Sequence, residues 1–465
     1  MRWIAPFSIT LIFAFTALAQ VSQSSIPTSV YLSYEDASSI ITAFNQGLPD
    51  ELRKRPGPEQ KAAWNAWEKK NDQSIRSRLA QGDEDTLVNF LLFGTSFTNQ
   101  PRITFAQIQK ADQVTAGLLT ARLEDLVLGI ESPKSNERLM FAKQVLVDKY
   151  GYKTAPADER NKLKIFLMNS LKRVFQENGK YKDILDAARR NDDQSTEFAE
   201  RSTLFRGRGL SSDTVTQPNF ALEEALRQLL GKGLIQANSI KRVAIVGPGL
   251  DFTDKQEGFD FYPLQTIQPF AVVDSLIKLG LAERKTFSLT TLDLSPRINL
   301  HVRNASAKAR TGVPYMLYLA KEKAVSWKPE YATFWQTLGN RIGRESRAPA
   351  NNASLADMRS VEVSPDVVSR LSAADVNIVL QNLPLAPQDK FDLIIATNIL
   401  VYYDGFEQSL AAVNIAKMLS PNGVFLANNA IPETPSSALR SVSTTGVVYS
   451  SRPNDGDLIV AYKRR

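Results

Sequence analysis

Apolar and polar positions change rhythm near residue 220. Before it, apolar residues recur at helical spacing, with Ile40, Ile41 and Phe44 on one face after Tyr34-Glu35-Asp36-Ala37. Gly47 and Pro49 end that run. Trp64 and Trp67 stand three apart in a second helical segment, beyond a polar stretch holding Pro56 and Pro58. Residues 83–93, 104–128, 136–150 and 157–175 predict further helices, and strand-like alternation is scarce. No 34- or 40-residue repeat stands out. The reading is an all-α region over 26–190 whose apolar faces, the Trp pair included, form core.

A connector follows over 191–219, rich in Ser, Thr, Asp, Gln and Gly and carrying Phe205-Arg206-Gly207-Arg208-Gly209. It reads as a solvated linker. The alternative is a lid in which Arg206 or Arg208 reaches a carboxylate or phosphate. A helix over 220–230 then leads to an apolar strand, 243–246, that runs into Gly247-Pro248-Gly249. Further apolar strands are expected at 287–293, 376–380, 391–397 and 423–428, separated by helical segments. That pattern predicts a parallel sheet covered on both faces. Residues 446–449 and 457–462, joined through Pro453-Asn454-Asp455-Gly456, predict an antiparallel hairpin at one edge. The stretch 294–375 is too long for a plain crossover. It holds Tyr315, Tyr318, Trp327, Tyr331, Phe334 and Trp335, and reads as an acceptor-binding cap or a small helical subdomain.

Composition narrows the chemistry. The 465 residues leave room for two or three domains. Cysteine is absent, which removes disulfides, thiol nucleophiles and thiolate metal sites. His301 is the single histidine, so a multi-histidine metal centre is excluded and no metal is expected. With no partner identifiable by spacing, His301 reads as structural or exposed rather than catalytic. The net charge of +7 is mild and not gathered into a basic stripe, so no nucleic-acid partner is indicated. The first residues read as an export signal over 1–19: Arg2, an apolar run over 4–18, and Ala17-Leu18-Ala19 as the cleavage site. The run falls short of the ~20 residues of a spanning helix, which predicts a cleaved leader and no membrane span in the mature chain. Inner-membrane tethering or a cytoplasmic chain is the alternative.

A strand, a glycine turn and a helix form the general nucleotide-cradling device of open α/β sheets. Two features argue against a dinucleotide. Phe252 stands where the third glycine of G-x-G-x-x-G would be, and the acid Asp293 lies well beyond the ~20 residues expected. Pro248 also lacks the N–H that a pyrophosphate would use.

The later motifs are more specific. Ile378-Val379-Leu380-Gln381-Asn382-Leu383 is followed by Phe391-Asp392-Leu393-Ile394-Ile395-Ala396-Thr397-Asn398-Ile399-Leu400-Val401-Tyr402-Tyr403-Asp404, then by Ala416-Lys417-Met418-Leu419-Ser420-Pro421-Asn422-Gly423. Over 220–464 the chain resembles the class I S-adenosylmethionine-dependent methyltransferases, and these motifs are similar to those of CheR-type (chemotaxis-receptor) members, which are bacterial. The resemblance implies a Rossmann-like seven-stranded α/β sheet over 220–465, in the order 3-2-1-4-5-7-6 with strand 7 antiparallel. It implies S-adenosyl-L-methionine as cofactor and a carboxyl or hydroxyl group, on a protein or otherwise, as acceptor. Gly247 and Gly249 would flank the methionine portion, Asp293 would accept the ribose hydroxyls, and Asn382 and Leu383 would border the adenine. Thr397 and Asn398 would line the floor beneath the sulfonium, and Tyr402 would face the acceptor.

Other readings stand beside these. Asp293 suits a helix N-cap with Ser295, Asn398 a strand-end turn, and Tyr402 a core or rim aromatic. Ile245 occupies the position where many members carry an acid, and Asp251 or Asp254 would have to substitute. The CheR-type Gly-Glu-Glu run is missing. An exported chain would also sit away from the cytoplasmic cofactor. The alternative function is an exported, non-catalytic methyltransferase-fold binding or scaffold protein.

Overall fold

The computed structural model describes residues 26–44, 47–55, 57–110, 112–191, 209–211, 214–253, 260–347, 356–452 and 455–465. The leader at 1–19, Arg206, Arg208 and Asp254 lie outside them, as does most of the connector.

The helical part opens with a short strand β1 (Val30–Tyr31), α1 (Tyr34–Ala43) and α2 (Asp50–Arg53). A long α3 (Pro58–Phe93) joins what the sequence reads as two separate helical segments. Then come α4 (Phe105–Lys110), α5 (Gln113–Glu131), α6 (Glu137–Lys143), continued by a π-helical turn, and α7 (Ala157–Asn191). Ser33 starts α1 by accepting from Asp36 N–H, and Asp112 starts α5 by accepting from Thr115 N–H.

Beyond α8 (Gln217–Gly231) the chain alternates. In order come β2 (Arg242–Val246), α9 (Gln268–Lys278), β3 (Ser288–Asp293), α10 (Pro296–Arg310), β4 (Tyr315–Glu322), α11 (Pro329–Thr337), β5 (Gly343–Ser346), β6 (Ala356–Val363), α12 (Pro365–Val368) and β7 (Leu371–Asp375). The last elements are β8 (Gln381–Asn382), β9 (Phe391–Ala396), α13 (Gly405–Met418), β10 (Leu419–Ala427), β11 (Leu439–Val448) and β12 (Gly456–Arg464). Seven strands form one sheet in the order β7, β3, β2, β9, β10, β12, β11. The first five are parallel, and β12 runs antiparallel to β10 and β11.

Both faces of this sheet are covered, so its central strands are continuous apolar runs. Val243 and Ile245 pack on the face carrying α8 and α9, while Ala244 and Val246 pack on the other. Ile245 is fully buried in that first layer, a place that would leave a carboxylate without water. The second face is closed by α13 together with the helical part. Ile40, Ile41, Trp64 and Trp67 share one core with Ala244, Ile394 and Phe425. The indole N–H of Trp64 donates to Leu32 O at 2.9 Å, and Leu32 N–H reaches Leu380 O at 2.8 Å. The helical half therefore supplies a layer of the sheet's own core.

Two expectations are corrected. The third parallel strand is β7, ending at Asp375, rather than 376–380. Residues 376–380 are just as buried, but they lie beyond the sheet, beneath β1 and α13. The aromatic insertion is not a helical subdomain. It builds a three-stranded antiparallel sheet, β4-β6-β5, against which Tyr331, Phe334 and Trp335 of α11 pack.

Candidate functional site

The carboxyl ends of β2, β3 and β9 surround a cavity of about 500 Å³. It lies where the chain order reverses, with β3 on one side of β2 and β9 on the other. Open α/β sheets hold their ligands at such a point.

Gly247 and Gly249 line the cavity with φ of +63° and +66°, a backbone that side-chain-bearing residues adopt at a cost. At Gly247 a Cβ would also stand 2.2 Å from Ile399 Cδ1, so the missing side chain lets the turn after β9 close against the turn after β2. No helix follows directly. Among the described residues the next one, α9, begins at Gln268, so among them the glycine turn leads into no helix N-terminus to offer a phosphate. Phe252 explains the missing third glycine: it is fully buried and packs edge-on against Phe90 and Phe141, at 5.5 and 5.1 Å. The buried Arg138 of α6 donates to the carbonyls of Asp251, Phe252 and Tyr262. The loop after the glycines is thus held by the helical half.

Asp293 closes β3 at the cavity wall, 8 % exposed. Its Oδ1 accepts from Ser295 N–H at 2.7 Å, which makes it the turn-forming residue ahead of α10. Burial pushes its carboxyl up to about 7, against the opposing pull of the Ser295 N–H and the Arg297 charge, with Asp375 adding to the rise. Thr397, Asn398 and Tyr402 line the same cavity. Thr397 Oγ1 accepts from Gln268 Nε2 at 2.8 Å. Asn398 sits at φ +59°, unusual for a residue with a side chain. A reciprocal pairing fixes it there: its N–H donates to Asn428 Oδ1 at 2.7 Å, and Asn428 Nδ2 donates back to Asn398 Oδ1 at 2.5 Å.

Three expected site residues are placed elsewhere. Asn382 lies in β8, where it pairs with β1, and donates through Nδ2 to Asn414 Oδ1 at 2.9 Å. Leu383 is buried nearby, its N–H on Met418 Sδ. Val376 and Ile378, which directly follow β7, line the cavity instead. Asp251 is buried with its carboxylate accepting from Tyr262 Oη and Gln265 Nε2, both at 2.8 Å, and is not part of the cavity wall. His301 is buried too. Tyr315 Oη accepts from Thr266 N–H and meets His301 Nε2 at 2.8 Å, while burial pushes the imidazole down to about 4. It stays neutral near pH 7 as a structural group.

The wall also includes residues that sequence reading did not single out. Leu79 of α3 and Leu210–Ser211 of the connector close one side. Leu210 N–H donates to Arg78 O at 3.1 Å, and a Cβ on Gly82 would meet Leu210 O at 1.9 Å. Gly82 is therefore the residue that lets this strap lie on α3. Arg78 itself donates to Tyr402 O at 3.1 Å, with its guanidinium over the Tyr403 ring. Two residues earlier, Arg76 pairs with Asp72 at 3.0 Å and with Asp375, at the end of β7, at 2.8 Å. Asp72 also accepts from Tyr31 Oη and Asn377 Nδ2. On the far side, Gln408, Asn428, Asn429 and Asp457 complete the wall. Among the described residues, no group of three or more His, Asp or Glu is arranged to hold a metal, and no helix is long and apolar enough to cross a membrane.

No family model and no curated protein matches the chain. Among solved structures it is similar to the glycopeptide N-methyltransferase MtfA complexed with S-adenosyl-L-homocysteine. That match has 11% identity over 54% of this chain and 92% of that one, with a TM-score of 0.27. It is also similar to TrmN from Thermus thermophilus, at 12% identity over 53% and 52% of the two chains and a TM-score of 0.26. A third is a TehB-like SAM-dependent methyltransferase from Corynebacterium glutamicum, at 9% identity over 54% and 100% with a TM-score of 0.22. Likenesses this loose assign neither fold nor function.

Proposed function

We propose that this chain is an S-adenosylmethionine-dependent methyltransferase. The observation that carries the reading is a convergence on one cavity: a glycine turn after β2, a buried carboxylate ending β3, and a strained Asn turn after β9. The strand order with β12 antiparallel supports the same family. When bound, the cofactor supplies an electrophilic methyl group on a sulfonium. Asp293 would accept the two ribose hydroxyls, a task suited to the two oxygens of a carboxylate. Gly247 and Gly249 would leave room for the methionine portion, and Val376 and Ile378 would offer the adenine apolar walls. Thr397 and Asn398 would form the floor, with Tyr402 toward the acceptor. Methyl transfer asks little of side chains beyond alignment, which this rigid strand-end setting provides.

Titration with S-adenosylhomocysteine tests the reading. Wild type should bind, and Asp293→Ala should bind about ten- to hundredfold more weakly through loss of charge-assisted hydrogen bonds. No binding, or unchanged affinity in the variant, refutes it. Ile245 in place of an acid favours the second reading, a fold kept for binding or scaffolding, under which wild type does not bind even at millimolar cofactor. Export rests on residues 1–19 alone, and mass spectrometry of the native N-terminus, expected at Gln20, tests it separately.

A further inference from the structure

The cavity is charged in one sense. Among its described lining residues the only ionisable acids or bases apart from tyrosines are two carboxylates, Asp293 and Asp457, with no Lys, Arg or His. They stand at opposite ends. Asp293 closes β3 and Asp457 follows the first residue of β12, so β2, β9 and β10 lie between their strands. Four strand steps of about 4.8 Å separate them by roughly 19 Å along the sheet edge.

Three other lining residues carry unpaired oxygens. Gln408 is 1 % exposed, and its Nε2 donates to Leu400 O and Tyr403 O, at 3.0 and 2.9 Å. Its Oε1 has no hydrogen-bond partner among the described residues, and the same holds for Asn429 Oδ1 and for the hydroxyl of Thr253, whose residue is 3 % exposed. An amide oxygen can only accept, so the unpaired oxygens of Gln408 and Asn429 favour a donor over a second acceptor beside them. Asp457 accepts from Tyr449 Oη at 2.6 Å and from the Asn428 side chain. A carboxylate held by two donors keeps lone pairs for a third. Its burial and the neighbouring Asp455 raise its pKa, so a cation brought beside it would be drawn to the ionised form.

We propose that the end of the cavity beyond Asn398 receives a methyl acceptor that carries a cationic amine, held at Asp457, and that anionic acceptors are rejected there. This deepens the methyltransferase reading and rests on it for the word acceptor. The ammonium at Asp457 is the acceptor's handle rather than its reacting atom, which at this separation lies nearer Asn398. A carboxyl acceptor, which the resemblance to CheR-type enzymes implies, would bring a like charge beside Asp457, with no Lys, Arg or His among the described lining residues to offset it.

The test uses wild type saturated with S-adenosylhomocysteine at about pH 8, because higher pH favours the ionised form of a carboxylate whose pKa is raised. Two probes share one aryl-ethyl frame and differ in end charge: tyramine and 3-(4-hydroxyphenyl)propionate. Calorimetry should show tyramine binding about tenfold or more tightly than the acid, the worth of one charge-assisted contact. Asp457→Asn, which keeps an acceptor for Tyr449, should erase that preference and leave S-adenosylhomocysteine affinity unchanged. Equal binding of the probes, binding of neither, or a preference that survives in Asp457→Asn overturns the proposal. The wild-type comparison decides even if the variant fails to fold. If wild type fails to bind S-adenosylhomocysteine, the methyltransferase reading falls, while the amine-to-acid ratio still decides the ligand class.

Discussion

Asp293 should give this protein two pH dependences of opposite sign. Its carboxyl is pushed from 3.8 to about 7, chiefly by burial, with Asp375 adding to the rise and Arg297 and the Ser295 N–H opposing it. That shift corresponds to a preference of roughly 4 kcal/mol for the neutral form in the folded protein. Without ligand, the folded chain therefore holds a proton that the unfolded chain has released between about pH 4 and 7. Stability should fall as pH rises through that window, by an amount of this order at most. Ligand affinity should move the other way. Two ribose hydroxyls donate best to the ionised carboxylate, so ionisation becomes part of the binding cost below about pH 7. Relative to the plateau, affinity for S-adenosylhomocysteine should be about twofold weaker at pH 7 and about tenfold weaker at pH 6.

Calorimetry in two buffers of different ionisation heat reads the accompanying proton directly. Close to one proton should be released per ligand bound at about pH 6, and almost none at about pH 8. Asp293→Asn keeps one acceptor oxygen but cannot titrate, so it should bind more weakly with a flat profile and lose the falling arm of the stability curve. A flat wild-type profile, or proton uptake on binding, would falsify the assignment of Asp293 to the ligand. If the residue only shapes the turn into α10, the stability arm remains and the affinity arm vanishes.

Three further outcomes are expected. Gly82→Ala places a methyl 1.9 Å from Leu210 O, so it should lift the Leu210–Ser211 strap from α3 and weaken S-adenosylhomocysteine binding by several-fold, read by titration. Arg76→Met leaves Asp72, buried beside Tyr31 and Asn377, without its cation; urea denaturation should report a loss of about 1–3 kcal/mol, less than for a fully buried pair because Arg76 is partly exposed. Proteolysis within 192–208 should cut the chain without separating it, because Trp64 and Trp67 share a core with Ile394 and Phe425. Gel filtration should find both fragments in one peak, and an independent C-terminal fragment would contradict the shared core.

The sequence announces β2, β9 and β10 because strands buried on both faces have no polar side to interrupt them, as Val243 to Val246 illustrate. The helical half is legible as helices, but its task is not. Trp64 and Trp67 read as core, and nothing in their spacing says that the core belongs to the sheet. The far wall is harder still. Asn428, Asn429 and Asp457 meet only because β12 inserts antiparallel beside β10, a pairing of distant segments that leaves no local pattern.

The displaced third strand shows how one local error carries into a site. Leu371-Ser372-Ala373-Ala374-Asp375 is a weak strand by propensity, while Val376-Asn377-Ile378-Val379-Leu380 has the branched, apolar character that strands favour. Tertiary structure reverses the assignment. The small residues of β7 fit against β3, in register with Asp293 opposite Asp375, and the bulkier segment fills the space beneath β1 and α13. In an open α/β sheet the ligand-facing residues are those just past the strand end. A strand placed five residues late therefore selects Asn382 and Leu383, whereas a strand ending at Asp375 selects Val376 and Ile378, the pair found on the cavity wall. The register of the third strand thus decides which residues reach the cavity wall. An Asn382→Ala substitution should accordingly disturb the Asn382–Asn414 bond and lower the melting temperature, yet leave S-adenosylhomocysteine affinity within about twofold of wild type. A Val376→Asp substitution should do the reverse, abolishing binding by putting a charge against the apolar wall. Loss of affinity in Asn382→Ala at unchanged melting temperature would return the adenine to the later residues and undo this account of the register.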